Sequence, residues 1–137
     1  MATGQTLLTI ASIILLSIIT MGISQLYLQS VVETVDSQIK SDALNFGRDL
    51  ADELHVHAYT FGVLDDKFGI YNDVSSEESR IEFTSQVGRT FYATIELTPL
   101  KVLIHNELGR QASIKVFEKK NDSFRMIVEY ETSISSL

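Results

Sequence analysis

No aspartate, glutamate, lysine or arginine occurs between Met1 and Val32, while the whole net charge of −7 lies from Glu33 onward. A chain with that asymmetry cannot fold as one evenly solvated globule. The stretch Thr6–Leu28 reads TLLTIASIILLSIITMGISQLYL, without charge or proline. About 20 such residues, rising 1.5 Å each as a helix, span the roughly 30 Å hydrocarbon layer of a bilayer. A removable secretory signal would begin with basic residues and end at a small-x-small cleavage site. This chain begins Met1-Ala2-Thr3-Gly4 and runs on in helical pattern. The spacing therefore predicts a membrane-embedded helix with the acidic bulk outside the cytoplasm.

Within that run Thr6, Thr9, Ser12, Ser17, Thr20 and Ser24 fall on one arc of about 140° at 100° per residue. A face of small hydroxyl side chains lets helices approach closely and hydrogen-bond where lipid supplies no hydrophobic drive. The bland alternative is that each hydroxyl bonds back to its own helix four residues earlier. Self-association is the sharper expectation.

The helical pattern continues past the apolar run. Leu28, Val32, Val35, Ile39, Ala43, Phe46, Leu50 and Leu54 form a stripe about 100° wide. One helix from about Thr6 to about Val56 is predicted. Its second half offers Val32, Val35, Ile39, Phe46, Leu50 and Leu54 for packing against a sheet. Period-two pattern after Gly62 predicts the partner: strands over Arg80–Phe83, Thr90–Leu97, Lys101–His105, Ser113–Phe117 and Phe124–Tyr130. Asn106–Gly109 and Lys119–Ser123 have turn chemistry. The polar stretch from Asp65 to Glu78 reads as a surface loop. The fold class is thus α+β, a long N-terminal helix on a small antiparallel sheet. Its divisions are residues 1–4 as a leader, 5–32 as a transmembrane or filament-core helix half, and 33–137 as an extracytoplasmic head.

Composition narrows function. An acidic chain without clustered lysine and arginine does not suit nucleic acid. With no cysteine, there is no disulfide framework, thiolate nucleophile or Cys-based zinc site. His55 and His57 point about 200° apart on a helix and would not share a metal. His105 is distant in sequence, and no HExxH pattern occurs. Asp65-Asp66 and Asn72-Asp73 could offer oxygen ligands to Ca²⁺, but read more simply as solvated loop charges. Neither GxSxG nor GxxxxGK[ST] is present. The aromatic residues Phe91, Tyr92, Phe117, Phe124 and Tyr130 read as core or cross-strand pairs. No catalytic constellation, metal or cofactor is expected.

The junction Gly4-Gln5-Thr6-Leu7-Leu8-Thr9-Ile10 resembles the processing site of type IV pilins and pseudopilins. There a glycine precedes the peptidase cut and an apolar helix follows. The layout of a protruding helix, half in the membrane and half on an antiparallel sheet, is similar as well. Four positions depart from the family pattern. Ala2 and Thr3 stand where basic residues are usual, Gln5 where phenylalanine is common, and Thr9 where most members place glutamate. The resemblance implies processing between Gly4 and Gln5, storage in the cytoplasmic membrane, and export by pilus assembly machinery. It further implies a homopolymeric extracellular filament of the kind used in cell adhesion.

Overall fold

A computed structural model describes residues 2–58, 61–102 and 108–135. The chain divides into two units, residues 1–38 and 39–137. The described part of the first is helix throughout. It belongs to α1, which runs unbroken from Ala2 to Val56. The helix thus starts before the expected Thr6, with Ala2 to Gln5 already in its first turns.

The second unit holds the end of α1, a short helix α2 (Phe61–Phe68), a 3₁₀ turn (Glu77–Ser79) and five strands. These are β1 (Ile81–Thr84), β2 (Thr90–Leu97), β3 (Lys101–Val102), β4 (Leu108–Lys120) and β5 (Ser123–Ser135). All pairings are antiparallel. β1 lies on β2, β2 on β4, and β5 on the far side of β4, while β3 pairs with the start of β4. The α+β architecture expected from the periodicities is the one observed.

Alternation along the strands builds the core. Phe91, Ala93 and Ile95 of β2, Ala112, Ile114 and Val116 of β4, and Ile134 of β5 share one buried face. Ala43, Phe46, Leu50, Ala51 and Leu54 of α1 join them, with Leu64 and Phe68 of α2. Phe46 also stacks on Phe83, ring centroids 4.7 Å apart. Buried Gly47 marks the close approach of helix to sheet. A methyl there would meet Tyr130 and Val116 side-chain carbons at 3.6 Å, with little room for anything larger.

Sequence pattern misplaced several elements. Residues 65–68, expected in a loop, belong to α2. Its buried Leu64 and Phe68 are one helical turn apart, a signal hidden by the intervening Asp65-Asp66-Lys67. Gly69 ends this helix: its N–H donates to the Asp65 carbonyl at 2.9 Å. A Cβ at that position would lie 2.5 Å from the same oxygen. β4 and β5 are each 13 residues long, well beyond the expected Ser113–Phe117 and Phe124–Tyr130. The connection is only Asn121-Asp122, both in the left-handed region with φ of 51° and 61°. That is the two-residue turn whose twist matches paired strands, so pairing continues to its edge. Leu108 and Gly109, expected in a turn, are paired in β4; Asn106 and Glu107 lie outside the described residues. So does the expected strand beyond Val102.

Candidate membrane and assembly surface

From Leu7 to Val35 every large apolar side chain of α1 is exposed. At 100° per residue Leu7, Leu8, Ile10, Ile13 and Leu16 point in every direction around the axis. This is therefore not the solvent side of an amphipathic helix. An 18-residue window within α1 is long and apolar enough to cross a membrane, and no part of it is buried. At about 25 cal/mol per Å² of apolar surface, hiding such a helix from water is worth tens of kcal/mol.

Gly4, Gln5 and the six hydroxyl residues are all exposed on this helix. Five of the six hydroxyls are engaged locally. Thr6 donates to Ala2 and Thr3 carbonyls at 3.0 Å. Thr9, Ser12, Ser17 and Thr20 donate at 2.8 Å to Gln5, Leu8, Ile13 and Leu16 respectively. Each hydroxyl keeps lone pairs for a partner but has used its proton. The arc is also less uniform than the hydroxyl spacing suggests, because Ile13, Leu16 and Ile23 project within it.

The packing stripe crosses the boundary between the two units. Phe46, Leu50 and Leu54 are buried, and Ile39 is partly buried against the core. Val32 and Val35 are exposed and belong to the first unit. Within the second unit the stripe meets the core from Ile39 onward.

The remaining candidates are structural. His55 Nε2 lies 2.9 Å from the Thr132 hydroxyl. His57, just past the end of α1, is bonded through Nδ1 to the Glu53 carbonyl at 2.9 Å. A carbonyl only accepts, so Nδ1–H donates, leaving Nε2 to accept from Lys67 at 3.2 Å. Lys67 also pairs with the Glu53 carboxylate at 3.1 Å. His105 lies outside the described residues. Asp66 and Asn72 are exposed, and Asp73 accepts from the Ser75 backbone N–H at 2.9 Å. Among the described residues no three of His, Cys, Asp and Glu form a group that could hold a metal ion.

Sequence reading missed two arginines. Arg80 lies over the rings of Tyr92 (4.6 Å) and Phe124 (5.4 Å), which themselves meet edge to face. It also donates to the Val74 carbonyl at 3.3 Å, tying the 72–79 segment to the sheet. Arg110, on the inward face of β4, is nine-tenths buried. It pairs with Asp65 of α2 at 2.8 Å and donates through Nε to the Thr98 carbonyl at 2.7 Å. Only the fold brings residues this far apart in sequence together.

The Arg110 hydrogen bond holds the Asp65 carboxyl below the usual carboxylate range, against a smaller opposing effect of burial. A depressed folded pKa contributes stability above the unfolded value near 3.8. That stability is lost as pH falls through the lower folded value. Asp65 is largely exposed, so solvent screens most of this gain. The larger cost comes from stranding Arg110. We expect Asp65→Asn to destabilise the head by about 1–3 kcal/mol at pH 7. The difference from wild type should narrow toward pH 3 in denaturant titrations; a constant difference would remove the charge from the explanation.

The sequence matches no protein-family model, and no curated protein or solved structure matches it.

Proposed function

We propose that this chain is a structural subunit of a type IV pilus-like extracellular filament. α1 holds it in the cytoplasmic membrane before assembly and forms the polymer core afterwards. The observation that carries this reading is the uncovered apolar surface from Leu7 to Val35, on a helix that continues into a folded head. Water is excluded as its medium by tens of kcal/mol. A bilayer and a bundle of sister helices are the two environments that satisfy it. Moving from one to the other needs no refolding, which suits a subunit stored in lipid and drawn into a polymer. The partners are further copies of the chain and the machinery that extracts it. Processing between Gly4 and Gln5 belongs to the same reading. It assigns no catalysis and no cofactor.

One observation favours a second reading, a single-pass membrane protein whose head binds an envelope partner without polymerising. The back-bonded hydroxyls of Thr6, Thr9, Ser12, Ser17 and Thr20 weaken the drive for helices to associate through them. The two readings part on a direct experiment. Electron microscopy of material sheared from the cell surface should show filaments containing this chain, with mass spectrometry placing its first residue at Gln5. Ser17→Leu or Thr20→Leu, which widen the close-approach face, should reduce filament yield at least tenfold while leaving membrane insertion intact. Monomers in detergent and bare cell surfaces would favour the second reading.

A further inference from the structure

The tip of the β4–β5 hairpin carries a feature that neither anchoring nor polymerisation uses. Asn121-Asp122-Ser123 is an Asn-x-Ser tripeptide without proline at its centre, the acceptor pattern for N-linked glycosylation. Asn45, Asn72 and Asn106 have Gly47, Val74 and Leu108 two positions on, so none of them has the required hydroxyl. The one asparagine that does sits in the two-residue turn between β4 and β5. Asn121 and Asp122 form the whole loop, both with positive φ. Asn121 is exposed, and the Asp122 side chain is 98% exposed. The Ser123 hydroxyl lies in the same turn, donating to the Lys120 carbonyl at 2.8 Å. Nothing in the core depends on the Asn121 side chain. A bulky polar substituent there would extend into solvent without displacing a packed atom.

We propose that Asn121 is an N-glycosylation site, taking an oligosaccharide from a polyprenyl-phosphate-linked donor. Asn121 Nδ2 forms a bond to the anomeric carbon of the sugar. The bond from that carbon to the phosphate oxygen breaks, its electron pair leaves with the lipid phosphate, and Nδ2 releases one proton. No oxidant or reductant is required. The proposal rests on the reading that the head lies outside the cytoplasm, where such donors are used.

The test uses the full chain purified from the cells that make it. Trypsin cuts after Lys120 and Arg125, isolating peptide 121–125. Mass spectrometry should find on it an added mass that fragments into sugar ions, localised to Asn121. Asn121→Asp keeps a residue that tolerates the left-handed turn and should remove the added mass completely. Ser123→Ala should do the same, and Ser123→Thr, which restores a hydroxyl, should retain it. A sugar surviving Asn121→Asp but lost in Ser123→Ala would place it on the serine and overturn the proposal. An unmodified peptide would overturn it too, and a second measurement says why. The chain has no cysteine, so Gln86→Cys in the exposed β1–β2 turn supplies a unique thiol. Labelling by a membrane-impermeant maleimide on intact cells, with no sugar found, would leave the outside placement standing and the modification refuted. Labelling only after lysis, again with no sugar, would refute both together.

Discussion

A chain beginning at Glu33 is expected to remain in the soluble fraction as a monomer, whereas the full-length chain sediments with membranes or filaments. The expectation follows from how the two kinds of surface divide. Between Leu7 and Val32 the helix exposes large apolar side chains all around, each worth about 1.5–3 kcal/mol when hidden from water. All 18 acidic and 11 basic side chains lie from Glu33 onward. The unit from residue 39 has its own closed core of α1, α2 and sheet. Starting at Glu33 leaves more than one turn of helix ahead of Ile39, so fraying at the new end spares the core. Removing the apolar run therefore deletes the reason for association and keeps the reason for folding. Ultracentrifugation of lysates, followed by size-exclusion chromatography of the supernatant, reads the difference. Full-length protein that stays dispersed as single chains in detergent-free buffer would show that something in the chain itself covers the helix. Both the anchor and the filament would then be untenable.

Residues that interact locally were legible in the sequence; those joined by the fold were not. The uncharged run, the stripe through Phe46, Leu50 and Leu54, and the alternation of Phe91, Ala93 and Ile95 are periodicities of a single element. Each reappears as a surface of the structure. α2 escaped because its buried Leu64 and Phe68 are separated by a charged triplet within only eight residues. The lengths of β4 and β5 escaped because a two-residue turn needs no loop composition beyond Asn121-Asp122. Polar residues such as Lys119 and Lys120 can pair at a hairpin's end without a buried face. The Arg110–Asp65 pair joins β4 to α2, and no spacing rule reaches across 45 positions of chain, the difference between their numbers. For the candidate assembly surface, its apolar character was readable from composition. The state of the hydroxyls was not, because a serine facing out and a serine bonded to its own carbonyl have the same spacing.

Leu54→Ala should cost the head about 2–5 kcal/mol without loosening the chain from membranes. Leu54 is fully buried near the end of α1, in the cluster that contains Leu64, Phe91, Ile114 and Ile134. Its truncation removes buried methyl groups and leaves a cavity that rigid strands on one side cannot collapse to fill. A domain of this size holds about 5–15 kcal/mol in total, so the loss is a large part of its stability. With no cysteine in the sequence, no disulfide limits the unfolded state. Val32→Ala is the matched control: it shortens an exposed apolar side chain of the same helix, in the other unit, and should change head stability by less than about 0.5 kcal/mol. Urea titration of a chain beginning at residue 30 measures both. In the full-length protein, Leu54→Ala should become protease-sensitive beyond α1 while still sedimenting with membranes, since Leu7 to Val35 are untouched. If Leu54→Ala were no more costly than Val32→Ala, the head would not depend on α1 for its core. If it released the chain into the soluble fraction, membrane association would belong to the head instead of the apolar helix.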